Sequence, residues 1–414
     1  MLKIALINNM NNNFFSLARF LRDKGLDAHL FQVDFLDKHF SPIADTFDEN
    51  VNHFVHRIDQ ISFRDFYKLP FLLKSKQRLK KLKNKLEEFD IVIACGGLAI
   101  LEWAKIKVDI FVPYGGDLYQ SPFMFDYCIK KHFPFSMLMK KYIKYQRRAI
   151  TKTRAIIALA SMDRHLYDAL IKLNEKWLDW AIPMVYPLPP ITTDKWDFLK
   201  KHDFIFFSHA RQGWKTALDY KGNDRAIRAF ARFLNQQSTY HNPIIVLFEY
   251  GPDVNASKEL VSELGMENYV VWMPTMERKY IYEGLQKASL VFDFFHDEVM
   301  SFGGVTFEAF SCRAPVIGNT VLKNTQTKST IPLVQAYTEG DILSVLLDYC
   351  QYPEKYKQQG EISRHWFDNE VGAQLVDKYI EVITYLAENK KLSLKDSNFN
   401  LASVNEYIGP NCIQ

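Results

Sequence analysis

The chain has few cysteines and no pair of them at a chelating spacing. Cys95, Cys128, Cys312, Cys350 and Cys412 are the five in 414 residues, and no two form Cys-x-x-Cys. An odd, scattered set builds neither a disulfide framework nor a zinc site, and it fits a reducing cytoplasmic compartment. No run of about 18 apolar residues occurs, so no spanning helix is expected. The opening Met1-Leu2-Lys3-Ile4-Ala5-Leu6-Ile7-Asn8 turns polar too soon for a signal peptide and reads as a first strand. Eleven histidines include no His-Glu-x-x-His or similar spacing, so no bound metal is expected. Gly-x-Gly-x-x-Gly is missing after the first strand. That leaves a dinucleotide-dependent oxidoreductase the weakest reading.

The composition that is present is ordinary for a globular protein: 48% hydrophobic and 24% charged, with 14% aromatics led by 32 Phe and 21 Tyr. At this length two domains are the natural expectation. The net charge is +4, but it is unevenly spread. Residues 1–190 hold 29 Lys and Arg against 20 Asp and Glu. A basic first half suits an acidic partner such as phosphate groups or anionic lipid.

Short apolar runs alternate with helical patterns. Lys3–Asn8, Ala28–Val33, Asp90–Cys95, Val108–Pro113 and Ala155–Ala160 read as buried strands, with a helix over Phe15–Lys24 among the connections. A second series gives strands at Asp203–Ser208, Ile244–Glu249, Tyr269–Trp272, Leu290–Phe294 and Pro315–Ile317. Helices fall at Asp224–Leu234, Lys258–Leu264, Arg278–Lys287, Gly304–Cys312 and Ile342–Tyr349. Such alternation makes doubly wound parallel sheets. Four prolines within Pro183–Pro190 mark a linker, and Trp366–Leu386 reads as one long amphipathic helix. The expected division is a first α/β domain over 1–195, a second over 196–365, and a helix and tail over 366–414. Two α/β domains joined in this way face each other across a cleft where ligands bind.

Four segments could carry chemistry. In Ser301-Phe302-Gly303-Gly304 a glycine loop opens a helix, where backbone N–H groups bind phosphate. Glu308, one turn on, can accept two hydroxyl hydrogen bonds. Arg211 and Lys221 lie on the loop after the first strand of the second domain, where cations can clamp a diphosphate. Leu247–Asp253 is a strand ending in Gly251-Pro252. In the first domain, Tyr114-Gly115-Gly116-Asp117 ends a strand, and five asparagines over Asn8–Asn13, Asn9 among them, follow the first one. Each segment alone also suits an ordinary turn with solvated side chains. The run Lys74–Lys85 holds seven basic residues and no acidic one. It is either a solvated helix face or a surface for anionic membrane. No nucleic-acid motif accompanies it.

Together and in this order, the segments resemble those of GT-B glycosyltransferases, nearest to the retaining family 4 type. The likeness is good over 203–320 and architectural over 1–195. It implies an α/β fold of two Rossmann-like domains, with a C-terminal helix that can return to the first. It implies transfer of a sugar from a nucleotide-diphosphate sugar to a hydroxyl of a glycan or lipid-linked acceptor, with retention, in cell-surface polysaccharide or glycoconjugate synthesis. Carried over, Glu308 resembles the ribose-binding glutamate, and Arg211 and Lys221 the pair that offsets the diphosphate. Ser301, Phe302, Gly303 and Gly304 resemble the loop beneath the phosphates, Gly251 the glycine beside the nucleotide, and Trp272 to Pro274 the base lining. Asp117, Gly115 and Gly116 match the motif facing the acceptor, and Asp117, catalytic with Arg211 and Lys221, would bind a sugar hydroxyl or act on the acceptor. The nucleotide-sugar is a co-substrate, and neither a cofactor nor a metal is implied. A cytoplasmic enzyme held peripherally on the inner membrane face fits this picture. Where the family carries a second glutamate, eight positions before Glu308, this chain has Met300. Glu298 and Asp293 are the nearby acids. A GT-B nucleotide-sugar epimerase and a non-catalytic nucleotide-sugar-binding protein are the alternatives.

Overall fold

A computed structural model describes residues 1–33, 41–58, 69–124, 135–160, 163–173, 175–190, 192–216, 221–295, 303–319, 331–394 and 407–408. The chain divides into two compact units. The first comprises 1–43, 48–186 and 370–414, and the second 44–47 and 187–369.

The first unit is a parallel sheet of β1 (Lys3–Ile7), β2 (Asp27–Gln32), β3 (Val55–Arg57), β4 (Ile91–Ala94), β5 (Ile110–Phe111) and β6 (Ala155–Ile156), in the order β3-β2-β1-β4-β5-β6. Its strands read as near-continuous apolar runs because helices cover both faces. The two-residue alternation splits each strand between two cores. Ile4 and Leu6 enter one, and Ala5 and Ile7 the other. A short strand, β7 (Trp177–Leu178), pairs antiparallel with Tyr407–Ile408.

The expected single helix over Trp366–Leu386 is two helices, Pro353–Glu370 and Ala373–Glu388. The break falls at Val371-Gly372, and glycine is a poor residue for a helix interior. The first helix stays in the second unit, whereas the second lies in the first unit. There it buries a stripe of Leu375, Val376, Tyr379, Val382, Ile383 and Leu386 in the core that holds Ile4. Its carboxyl end is held by Arg154. That guanidinium donates to Leu386 O at 2.8 Å, Asn389 O at 2.6 Å and Leu392 O at 2.8 Å, and it pairs with Asp109 at 3.2 Å. A cation at a helix C-terminus meets both the free carbonyls and the dipole.

The second unit repeats the topology. Its strands are β8 (Phe204–Phe207), β9 (Pro243–Phe248), β10 (Val270–Met273), β11 (Leu290–Phe292), β12 (Val316–Gly318) and β13 (Val334–Gln335), in the order β10-β9-β8-β11-β12-β13. Here the high phenylalanine content finds its use. Phe206 of β8 packs on Phe292 of β11 at 4.6 Å between ring centres, and Phe204 on Phe233 at 5.1 Å.

In each sheet the chain goes outward from the first strand and then returns to its other side. The switch points are therefore β1/β4 and β8/β11, and ligands of open α/β sheets bind at the carboxyl ends of strands at such points.

Candidate functional site

At the β8/β11 switch point Lys221, which follows β8, and the helix Gly304–Ser311, which follows β11, approach each other around Asp293. This carboxylate is 1% exposed. Its Oδ1 lies 3.3 Å from Lys221 Nζ, and its Oδ2 accepts from Thr306 Oγ1 at 2.8 Å and Thr306 N at 3.3 Å. The Lys221 ammonium also stands 5.3 Å from the centre of the Phe294 ring. A side chain at Gly303 would overlap Asp293. Lys221, Gly303 and the helix N-terminus are thus brought together. Ser301, Phe302, Met300, Glu298 and His296 lie outside the described residues.

Glu308 sits 8% exposed in that helix, in a network that gives each oxygen a partner. Oε2 pairs closely with His209 Nε2, and Oε1 with Arg278 Nη1 at 3.1 Å. Arg278 in turn grips Asp45 through Nε and Nη2. Burial alone would raise the Glu308 pKa. His209 and Arg278 more than offset this and hold it below the ordinary carboxylate value. Burial likewise opposes the charge on Arg278, and Asp45, with Tyr282 and Glu308 beside it, holds its pKa above the usual range. The ring nitrogen Nδ1 of His209 and the hydroxyl of Tyr282 are buried without a hydrogen-bond partner. Arg278 and Asp45 are the residues that sequence reasoning left out of the site. Asp45 lies 233 positions from Arg278, and no local pattern announces such a pair.

The neighbouring loop is built by Asp253 and Gly251. Asp253 Oδ2 accepts from the backbone N–H groups of Trp214 and Lys215 at 2.7 Å and of Thr216 at 3.0 Å. Against the upward push of burial, these bonds and the Thr216 hydroxyl hold its pKa down. Gly251 has φ +110°, and a Cβ there would stand 2.5 Å from Gln212 O. Only glycine fits that approach. Arg211 is exposed on this loop. Trp272 is half-buried on β10, with Lys258 Nζ 5.5 Å from its ring, and Pro274 is exposed just beyond. A cavity of about 730 Å³ lined by Ser289, Cys312, Arg313 and Pro315 opens elsewhere, at the amino ends of β11 and β12.

In the first unit, the β1/β4 switch point brings Asn8 against Gly96, and Gly96 in turn onto Asp117. Asn8, Asn11 and Asn12 have φ of 79°, 49° and 61°, a region asparagine tolerates better than most residues. Asn9 is 1% exposed. Its amide donates to Asn12 Oδ1 at 2.7 Å and accepts from Phe15 N at 3.1 Å, so it shapes the loop and starts the helix Asn13–Asp23. Asp117 accepts from the backbone N–H groups of Gly96 at 2.9 Å, Tyr114 at 3.1 Å and Gly115 at 3.0 Å. Burial raises its pKa to about 7, against the downward pull of those donors. Gly115 has φ +141°, and Gly116 opens the short helix Gly116–Tyr119.

The helix Leu69–Leu86 buries Leu79, Leu82 and Leu86 and exposes Lys80, Lys81 and Lys85. Among the described residues no helix is long and apolar enough to cross a membrane. Nor do any three of their His, Cys, Asp or Glu side chains gather to hold a metal ion.

No family model and no curated protein matches the chain. Solved structures do. Anabaena HepE in complex with UDP superposes with TM-score 0.58 at 15% identity, over 93% of this chain and 100% of that one. Sucrose-phosphate synthase from Thermosynechococcus elongatus gives 0.57 at 11%, over 94% and 100%. A UDP-N-acetylglucosamine 2-epimerase gives 0.55 at 13%, over 97% and 99%. These likenesses establish the GT-B fold, with its two Rossmann-like units.

Proposed function

We propose that the protein is a glycosyltransferase that moves a sugar from a nucleotide-diphosphate sugar to a hydroxyl acceptor. The observation that carries this reading is the convergence of Lys221 and the N-terminus of the helix Gly304–Ser311 at the β8/β11 switch point. Both features favour anions there. The fold shared with a protein solved with UDP supports a nucleotide-sugar as the donor. In this reading Lys221, with Arg211 and the loop amides, offsets charge that develops on the leaving diphosphate, so side chains suffice and no metal is required. Glu308 receives the ribose hydroxyls once Arg278 or His209 yields an oxygen. Gly251, Trp272 and Pro274 line the base side.

The first unit, through Gly115, Gly116, Asn9 and the buried Asp117, shapes the acceptor side. The finer reading is transfer with retention to a glycan or lipid-linked acceptor for cell-surface polysaccharide, by a cytoplasmic enzyme that meets an anionic membrane through Lys74–Lys85. Neutralising the exposed lysines of that helix should weaken binding to anionic liposomes, and unchanged binding removes the membrane contact.

A thermal-shift screen of UDP, GDP, ADP, CMP and their common sugars on wild type and Glu308→Ala tests the donor site, because a ligand of the folded state stabilises it by mass action. A selective shift that Glu308→Ala abolishes is the expected result. No shift with any nucleotide overturns it. Conversion of the donor sugar without an acceptor would instead favour a 2-epimerase, in line with the third structural likeness.

A further inference from the structure

We infer that Asp293 is a positioning residue for the diphosphate: it ties the Lys221 ammonium and the first turn of the helix Gly304–Ser311 to one point. The inference rests on the donor-site reading above and adds to it a residue that never meets the substrate.

Asp293 is 1% exposed at the end of β11. An ionised carboxylate in such a place is costly unless it is paired and hydrogen-bonded. Here one oxygen has the ammonium and the other has the hydroxyl and N–H of Thr306. The same group therefore fixes two electropositive features that sequence places far apart, the lysine on the loop after β8 and the helix after β11.

Lysine is a flexible point charge with three donors, and holding it still costs rotamer freedom. One donor on Asp293 and a face on the Phe294 ring hold the ammonium in place, and among the described residues no other group takes its remaining donors, which are free to meet an anion. Gly303 completes the arrangement, because any side chain there would displace the carboxylate.

The carboxylate is also a negative charge near an anion site. The two effects predict opposite outcomes for Asp293→Asn, which keeps the shape and removes the charge. If charge alone mattered, the variant would bind diphosphate more tightly. If Asp293 positions Lys221, it binds more weakly.

The experiment measures UDP, GDP and ADP, each beside its nucleoside, by calorimetry on wild type, Asp293→Asn, Lys221→Met and the double variant. Wild type should bind one of the diphosphates. Asp293→Asn should weaken that diphosphate by about tenfold and leave its nucleoside within about twofold. Lys221→Met should also weaken the diphosphate, and the double variant should fall within about twofold of Lys221→Met alone, because both changes break one interaction.

Tighter or unchanged diphosphate binding in Asp293→Asn overturns the inference. So do equal losses for diphosphate and nucleoside, or losses that add in the double variant. If Asp293→Asn does not fold, Thr306→Val removes just the hydroxyl bond to Oδ2, and unchanged diphosphate affinity in that variant counts equally against the inference. A wild type that binds none of the three diphosphates sinks the donor-site reading itself, and the inference with it. A wild type that binds while Asp293→Asn does not weaken it sinks the inference alone.

Discussion

Gly303 lies so close to Asp293 that a Cβ at position 303 would stand 2.9 Å from Asp293 Cγ and overlap Oδ2. The glycine of this loop is thus required by a carboxylate beneath it, whatever approaches from above. Gly303→Ala should force Asp293 off Thr306 and Lys221 and lower stability by about 1–3 kcal/mol, as overpacking does. Urea denaturation of the alanine variant measures this. A stability equal to that of wild type would mean that the carboxylate yields freely, and that glycine at 303 serves another purpose.

Glu308 stands between His209 and Arg278, and Arg278 stands between Glu308 and Asp45. Glu308→Gln removes the central negative charge of a buried set and should cost about 3 kcal/mol. The pH dependence has a definite sign. The folded pKa of Glu308 lies below the ordinary value of a glutamate. Its contribution is therefore present above that value and is lost as pH falls through the lower folded value. Stability measured from pH 6 to pH 3 should fall less steeply in Glu308→Gln than in wild type. Parallel curves would show that the ion pairs do not hold Glu308 ionised.

Much of the architecture is legible in the chain because β8 and β9 are unbroken apolar runs, Phe204–Phe207 and Pro243–Phe248, bounded by polar turns. Buried parallel strands look like that in any context. The edge strands β3, Val-His-Arg, and β13, Val-Gln, have no such pattern. They are two or three residues long, and a neighbouring strand makes them strands. The glycines at 251 and 303 stand out in the sequence, but the reason for them does not. Gly251 is demanded by the Gln212 backbone and Gly303 by Asp293, and both are tertiary contacts. Arg278 and Asp45 were illegible for the same reason. Each is an ordinary surface residue by local pattern, and only the fold brings them together.

Arg154 joins the C-terminal helix to the first sheet. It serves three carbonyls after or near the end of the helix Ala373–Glu388 and the buried Asp109. Arg154→Met should leave those carbonyls and Asp109 short of a donor, at a cost of about 3 kcal/mol. The loss should be local as well as global. Hydrogen exchange should show the backbone of 380–394 opening more often, with the β8–β13 sheet unchanged. A variant whose exchange rises evenly over both units would show that Arg154 does not act through this helix.

Asp117 poses the sharpest electrostatic question in the molecule. Three backbone N–H groups favour its charged form, and complete burial favours the neutral one. Burial dominates and raises the pKa to about 7. A group whose folded pKa is raised contributes stability that is full below its unfolded value, near 3.8, and is lost as pH rises through about 7. Over that window the loss amounts to roughly 4 kcal/mol, at about 1.4 kcal/mol per pH unit. Asp117→Asn cannot ionise, and an amide offers one acceptor where the carboxylate offers two, so its absolute stability should be lower at pH 4. The slope is the informative quantity. Between pH 4 and pH 7 wild type should lose stability relative to Asp117→Asn, and the carboxyl carbon of Asp117 should titrate near neutrality by NMR. A wild type that instead gains on the variant as pH rises would mean that the amides of Gly96, Tyr114 and Gly115 outweigh burial. Asp117 would then be a permanently charged anchor for the two loops it joins.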